Sequence, residues 1–154
     1  MEESVLNGKR IFAVDDEPDI LAVLEEEITD MCPDCIFETE STYHTANEKL
    51  KSRDYDLVIL DIMGVQGFEL LDTAVHRGFR VAMLTAHALS PEELKHSHDA
   101  GAWAYLPKEK LGEIVPFLED LFTYDYKSGW DRSLDKLDSF FSKKFPKGWT
   151  RIGN

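Results

Sequence analysis

The sequence predicts an α/β fold: a five-stranded parallel sheet, doubly wound as (βα)5, with helices on both faces and a C-terminal helical extension. Three observations carry that expectation. Apolar, β-branched runs without alternation recur along the chain, as strands buried on both faces of a parallel sheet require. Each run is followed by apolar residues at helical spacing, five times in about 120 residues, which implies crossover connections and a parallel sheet. A chain of 154 residues, 43% hydrophobic and 31% charged, has the composition of one globular unit with a sizeable core.

The first strand is Lys9-Arg10-Ile11-Phe12-Ala13-Val14, closed by Asp15-Asp16-Glu17. Pro18 suits the first turn of a helix, because its missing N–H would find no partner there. Ile20, Leu21, Val23, Leu24 and Ile28 keep helical spacing to about Thr29, and Pro33 lies in the break that follows. Residues 35–39 read as the second strand and residues 45–51 as a short second helix. Leu57-Val58-Ile59-Leu60 is the most apolar strand, and it ends abruptly in Asp61. A tight loop, residues 62–66, leads to a third helix carrying Phe68, Leu70, Leu71, Ala74 and Val75, which Gly78 stops. The fourth strand, residues 80–84, ends at Thr85. Ser90 and Glu93 form both halves of a capping box, with Pro91 at the first helical position, and the fourth helix runs to Ala100 before Gly101. Residues 102–106 are the fifth strand, followed by Pro107-Lys108 and a helix with Ile114, Val115, Leu118, Leu121 and Phe122.

The net charge of −13 argues against a protein that grips nucleic acid through its phosphates. Residues 1–123 hold 26 Asp+Glu against 10 Lys+Arg, whereas residues 124–154 hold 4 against 7. No apolar run approaches the roughly 18 residues that a membrane span needs, and the acidic N-terminus is unlike a signal peptide, so a cytoplasmic location is expected. Cys32-Pro33-Asp34-Cys35 is a single pair of thiols; a structural zinc site needs a second pair, and a redox motif opens a helix instead of following one. It reads as a turn with two partly buried thiols.

Parallel strands bring their carboxyl ends to one edge of the sheet, where such folds place ligands. Asp15 and Asp16 end the first strand, Asp61 the third and Thr85 the fourth, while Lys108 follows the fifth. Either Asp15 or Asp16 alone would be explained as a helix cap, but two adjacent carboxylates exceed what capping needs. Three carboxylates this close raise one another's pKa unless a cation joins them. A hard divalent ion with oxygen ligands, Mg²⁺ above all, resolves the repulsion. A lysine and a hydroxyl beside it offer a phosphoryl group a point charge and a donor.

With these residues in place, the chain from about Arg10 to Phe122 resembles the CheY-like receiver domain of two-component response regulators. The resemblance rests on Val14-Asp15-Asp16-Glu17-Pro18, Leu60-Asp61-Ile62-Met63, Leu84-Thr85-Ala86, Gly101-Ala102 and Tyr105-Leu106-Pro107-Lys108. It implies a flavodoxin-like strand order 2-1-3-4-5. It implies that Asp61 is the phosphoacceptor, attacking a phosphoryl group on the histidine of a partner histidine kinase or phosphotransfer protein. Asp16 would bind Mg²⁺ directly, Asp15 through water, and Asp61 and the Met63 carbonyl would complete the protein's share. Lys108 would pair with the phosphoryl oxygens, and Thr85 and Tyr105 would be the switch pair, the ring turning inward as the hydroxyl moves.

Two features depart from the family pattern. The loop Asp61-Ile62-Met63-Gly64-Val65-Gln66-Gly67 is short and lacks a proline, and Pro107 precedes Lys108 where the family has a cis proline after its lysine. The Lys108–Glu109 bond is therefore expected to be trans or strained. His87, two residues past Thr85, is placed to affect loss of the phosphoryl group; His44, His76, His96 and His98 read as surface residues.

Residues 1–123 are thus expected to form the receiver domain and residues 124–154 an extension too short for a core of its own. Within it, Leu134, Leu137, Phe141 and Phe145 mark a helix from Asp131 to Phe145, capped by Asp131 and closed by Lys143-Lys144, with Trp130 and Trp149 as anchors. That helix is expected to pack on the receiver body; the alternative is a second subunit or a partner protein. The overall expectation is a stand-alone phosphorylation-controlled switch, not an enzyme with a substrate of its own, acting on a downstream protein target, with homodimerisation, no nucleic acid and no membrane among its contacts. A receiver-like interaction module acting without phosphorylation is the alternative. A phosphatase is disfavoured because Met63 stands where its second aspartate would be.

Overall fold

The structure, a computed structural model, describes residues 4–86 and 89–141, with side chains to Asp138. Five strands form one parallel sheet in the order 2-1-3-4-5: β1 (Arg10–Val14), β2 (Ile36–Glu40), β3 (Leu57–Asp61), β4 (Arg80–Thr85) and β5 (Ala104–Pro107). The helices between them are α1 (Pro18–Met31), α2 (Tyr43–Ser52), α3 (Gly67–His76) and α4 (Pro91–Asp99). A 3-10 turn, Lys108–Glu113, leads into α5 (Ile114–Thr123), and α6 (Tyr126–Phe141) follows. The parallel sheet and strand order are those the sequence predicts. No described helix is long and apolar enough to cross a membrane.

β3 is central and buried at all five positions, which is why it reads as an unbroken apolar run. Ile11, Phe12, Val58, Ile59, Val81 and Leu84 pack between the helix layers with at most 1% of their surface exposed. At about 25 cal/mol per Å² of apolar area, this buried sheet is the dominant favourable term in folding. Thr42 caps α2, its hydroxyl accepting from the Thr45 amide, so that helix begins two residues earlier than its apolar spacing shows. β5 begins at Ala104 instead of Ala102, because the residues ahead of it are a bend, from which the Trp103 N–H donates to the Val81 carbonyl at 2.7 Å.

The extension starts earlier than expected. α6 opens at Tyr126, with Asp125 as its cap: the Ser128 amide donates to Asp125 Oδ1 at 2.8 Å. Asp131 lies inside the helix, and Phe145, Lys143, Lys144 and Trp149 fall outside the described residues. α6 packs on α5 and β5. Trp130 is 2% exposed and its indole N–H donates to the Ala102 carbonyl at 2.9 Å; Leu134 and Leu137 are buried beside it. β5 is an edge strand, and the helix shields that side of the sheet. At the rim, Lys136 and Arg132 meet Asp120 Oδ2 at 2.8 and 3.4 Å.

His96 is exposed as expected, whereas His98 is half-buried. The His98 ring packs edge-on against Trp130 at 5.3 Å between centroids, and His96 stacks on Phe68 at 3.8 Å. Cys32 and Cys35 do form the expected turn, the Cys35 amide donating to the Cys32 carbonyl at 3.1 Å, and both are free thiols. Burial and the neighbouring Cys32 thiol push the Cys35 pKa up to about 12, so a reactive thiolate is disfavoured there.

Candidate functional site

Sheet register assembles the site. Val14 pairs with Leu60, so Asp15 and Asp61 emerge side by side from β1 and β3. Leu84 pairs with Asp61, and Thr85 with Pro107, which brings Thr85 and Lys108 to the same edge. Backbone bonds fix the rims: the Asp15 amide donates to the Glu40 carbonyl at 3.2 Å and the Ile62 amide to the Leu84 carbonyl at 3.0 Å. All five polar groups named from the strand ends therefore sit where the sequence places them.

Asp15 is fully buried and Asp61 4% exposed, whereas Asp16 faces solvent. Oxygen atoms of the three carboxylates lie within 4.8 Å of one another. The Lys108 ammonium sits between two of them, 2.8 Å from Asp15 Oδ2 and 3.0 Å from Asp61 Oδ1, with Glu17 Oε1 at 3.9 Å. The Glu17 amide donates to Asp15 Oδ1 and the Gly64 amide to Asp61 Oδ2, each at 2.9 Å. Burial raises the Asp15 pKa from its ordinary 3.8; the Lys108 ammonium and the Glu17 amide oppose that rise, and the Asp61 charge adds to it. For Lys108 burial disfavours the ammonium, but the Asp15 and Asp61 carboxylates outweigh it and hold the pKa above 10.5.

The residues fit a hard divalent cation. Their donors are carboxylate oxygens, the set such ions take. Asp15 Oδ2 is buried and meets Lys108 as an ion pair, without hydrogen-bond geometry, so it keeps lone-pair capacity. The Asp16 carboxylate lies against the backbone of Gly64, at the place where a Cβ would stand.

The short loop is built on backbone geometry. Gln66 takes a left-handed conformation at φ 55°, and a Cβ on Gly67 would meet Ile62 Cα at 2.8 Å. Glycine at 67 lets the loop close within five residues, the Gly67 amide donating to the Ile62 carbonyl at 3.0 Å. Met63 is 66% exposed at its tip. No described peptide bond is cis, so Lys108–Glu109 is trans. His87 falls outside the described residues.

Thr85 is 1% exposed and Tyr105 is fully buried, its ring already inward. Two groups at the site escaped the sequence. The Gly64 N–H is a backbone group with no signature beyond the glycine itself. Glu93, which reads as a helix-cap residue, accepts a hydrogen bond from the Tyr105 hydroxyl at 2.9 Å.

A doubly wound sheet with an acidic pocket and a buried lysine at its carboxyl edge defines a receiver-type α/β domain. Residues 11–118 match the response regulator receiver domain family, and the chain belongs to that family. No curated protein matches the chain at a significant level. Among solved structures, the CheY-like response regulator receiver domain protein of Methanospirillum hungatei JF-1 is 25% identical. It covers 88% of this chain and is covered over 98% of its own, with a TM-score of 0.59. The chemotaxis response regulator CheY4 of Vibrio cholerae is 23% identical over 67% of this chain and 92% of its own, at a TM-score of 0.56. The structure of the P1 domain of CheA3 in complex with CheY6 from R. sphaeroides matches at 21% identity, over 77% and 99%, with a TM-score of 0.65. The last two likenesses show the fold.

Proposed function

We propose that this chain is a response regulator receiver that accepts a phosphoryl group on Asp61 from a partner histidine kinase or phosphotransfer protein. The observation that carries the reading is the placement of Asp61. It is a 4% exposed carboxylate at the end of the central strand, paired with Lys108 beside Asp15 and Asp16. A carboxylate oxygen of Asp61 forms the new P–O bond while the P–N bond to the donor histidine breaks, leaving the imidazole with the electron pair. Lys108 follows the transferred oxygens as a point charge, and the Gly64 N–H, already aimed at Asp61 Oδ2, holds the acceptor in line. Asp15, Asp16, Asp61 and the Met63 carbonyl would hold Mg²⁺, which when bound neutralises charge developing on the phosphoryl oxygens. Thr85 then reaches toward the phosphoryl group, and Tyr105 reports the change to the protein surface.

The protein is a signalling switch, working inside the cell on a downstream protein target. Residues 1–123 are its receiver domain and residues 124–154 an extension that is not an independent domain, a reading supported by the packing of α6 on α5 and β5. The complex of CheY6 with the CheA3 P1 domain supports a phosphotransfer partner for a fold of this kind. A second reading, an interaction module that acts without phosphorylation, is favoured by one observation: protein groups alone hold the Tyr105 hydroxyl inward, which accepts from the Ser90 N–H at 3.0 Å and donates to Glu93 Oε1 at 2.9 Å.

Intact mass after incubation with Mg²⁺ and a small acyl phosphate separates the two. One added phosphoryl group in the parent and none in Asp61→Ala is the expected result. No adduct in either, together with no response to beryllofluoride, leaves the unmodified interaction module.

A further inference from the structure

The N-terminus of α4 carries an altered capping box. The forward half is present: Ser90 Oγ accepts from the Glu93 amide at 3.2 Å. In the reciprocal half the Glu93 side chain would accept from the Ser90 N–H directly. Here the Tyr105 hydroxyl stands between them. The Ser90 N–H donates to Tyr105 Oη at 3.0 Å, and the Tyr105 O–H donates to Glu93 Oε1 at 2.9 Å. A residue of β5 has become the third member of a helix cap.

That insertion has an energetic consequence. Tyr105 is fully buried, and burial raises its phenol pKa; the Ser90 N–H and the Thr85 hydroxyl oppose the rise and the Glu93 carboxylate adds to it. A buried hydroxyl needs partners for its proton and its lone pairs, and one helical turn supplies a donor and a charged acceptor. If the ring swings out, the Ser90 N–H and Glu93 Oε1 lose their shared partner at the same moment. If the cap frays, the ring loses both of these bonds. Ring position and helix capping are therefore one two-state element, not two independent ones.

We propose that Glu93 is a positioning residue: it latches Tyr105 inward before any phosphoryl group arrives, and so sets the resting population of the switch. The geometry of the latch stands alone; its consequence for signalling rests on the function proposed above. Because the latch lies outside the acidic pocket, it changes how much of the inward population exists for a phosphoryl group to select.

The test is fluorine NMR of the full chain carrying 3-fluorotyrosine, with the Tyr105 resonance among the five tyrosines identified by its loss in Tyr105→Phe. The parent shows one buried Tyr105 resonance. Glu93→Ala shows a second, solvent-exposed one, with the inward-to-outward ratio lowered about tenfold or more, as loss of a bond to a charged acceptor implies. Glu93→Gln keeps an oxygen acceptor and restores the single resonance. A single buried resonance in Glu93→Ala overturns the latch. So does an equal exposed population in Glu93→Gln, which would mean that an oxygen acceptor at position 93 does not hold the ring. Mg²⁺ with beryllofluoride then draws the Glu93→Ala ring back inward. Failure of that step alone, with the variants behaving as stated, counts against the phosphoryl reading and leaves the latch intact.

Discussion

Two carboxylates in this protein, Glu38 half-buried and Asp15 buried, respond to acid with opposite sign. Glu38 accepts from Arg10 at 2.9 Å, Arg53 at 2.7 Å and Tyr55 at 2.9 Å. Burial works against its charge, but those donors outweigh it and hold the pKa below 4.5. A lowered folded-state pKa contributes stability above the unfolded value, and that stability is lost as pH falls through the folded value. Asp15 is raised above 3.8, so its charge costs stability, a cost absent in strong acid that grows as pH rises through the interval to its folded pKa. Glu38→Gln is therefore expected to lose about 1–2 kcal/mol at pH 7 by urea unfolding, in the range of hydrogen bonds to charged groups. The gap to the parent closes as pH drops below 4.5. A gap of constant size across that range would show that Glu38 contributes packing, not charge.

Among the elements, α6 has the clearest division between core and rim. Trp130 and Leu137 are 2% and 0% exposed, whereas the Lys136–Asp120 contact is part-buried at the rim, the Lys136 side chain being 33% exposed. Trp130→Ala should cost about 3–5 kcal/mol and Leu137→Ala about 2–5 kcal/mol. Lys136→Ala should cost less, about 1–2 kcal/mol, because Arg132 stays beside the part-buried Asp120 carboxylate. Chemical denaturation of the three variants checks the order; a Trp130→Ala chain as stable as Lys136→Ala would mean that the helix does not dock in solution. The same helix shows what sequence reading reaches. The strands were legible because unbroken apolar runs have no other cheap fate, and Asp15, Asp61, Thr85 and Lys108 were legible because parallel strands must end together. The start of α6 was not, although Tyr126, Trp130, Leu134 and Leu137 hold one stripe; the first two turns carry two aromatics in a chain segment without a run of aliphatics. His98 was misread because its partners, Tyr126 and Trp130, lie about 30 residues further along. The Glu93–Tyr105 bond was invisible for a related reason: Ser90 and Glu93 already satisfied a local pattern, and only the fold inserts a third residue.

For the molecule as a whole, a net charge of −13 makes stability sensitive to any cation, so a specific site must be told apart from general screening. Screening acts on exposed carboxylates over about 10 Å at 0.1 M salt and treats Na⁺ and Mg²⁺ alike at matched ionic strength. The pocket is different, because Asp15, Asp16 and Asp61 converge within 4.8 Å and two of the three are buried. A ligand at a hundredfold excess over its Kd stabilises the folded state by about 2.7 kcal/mol. In a chain of this length that is a rise of about 5–10 °C in Tm. Magnesium chloride is accordingly expected to raise the parent's Tm beyond sodium chloride at the same ionic strength. Asp16 is exposed at the pocket mouth, so Asp16→Asn should fold normally, keep the screening response and lose the magnesium increment. Lys108 remains between Asp15 and Asp61 in that variant and holds the apo pocket together. Equal responses of the parent to the two salts would take the metal out of the mechanism and leave Lys108 as the pocket's cation.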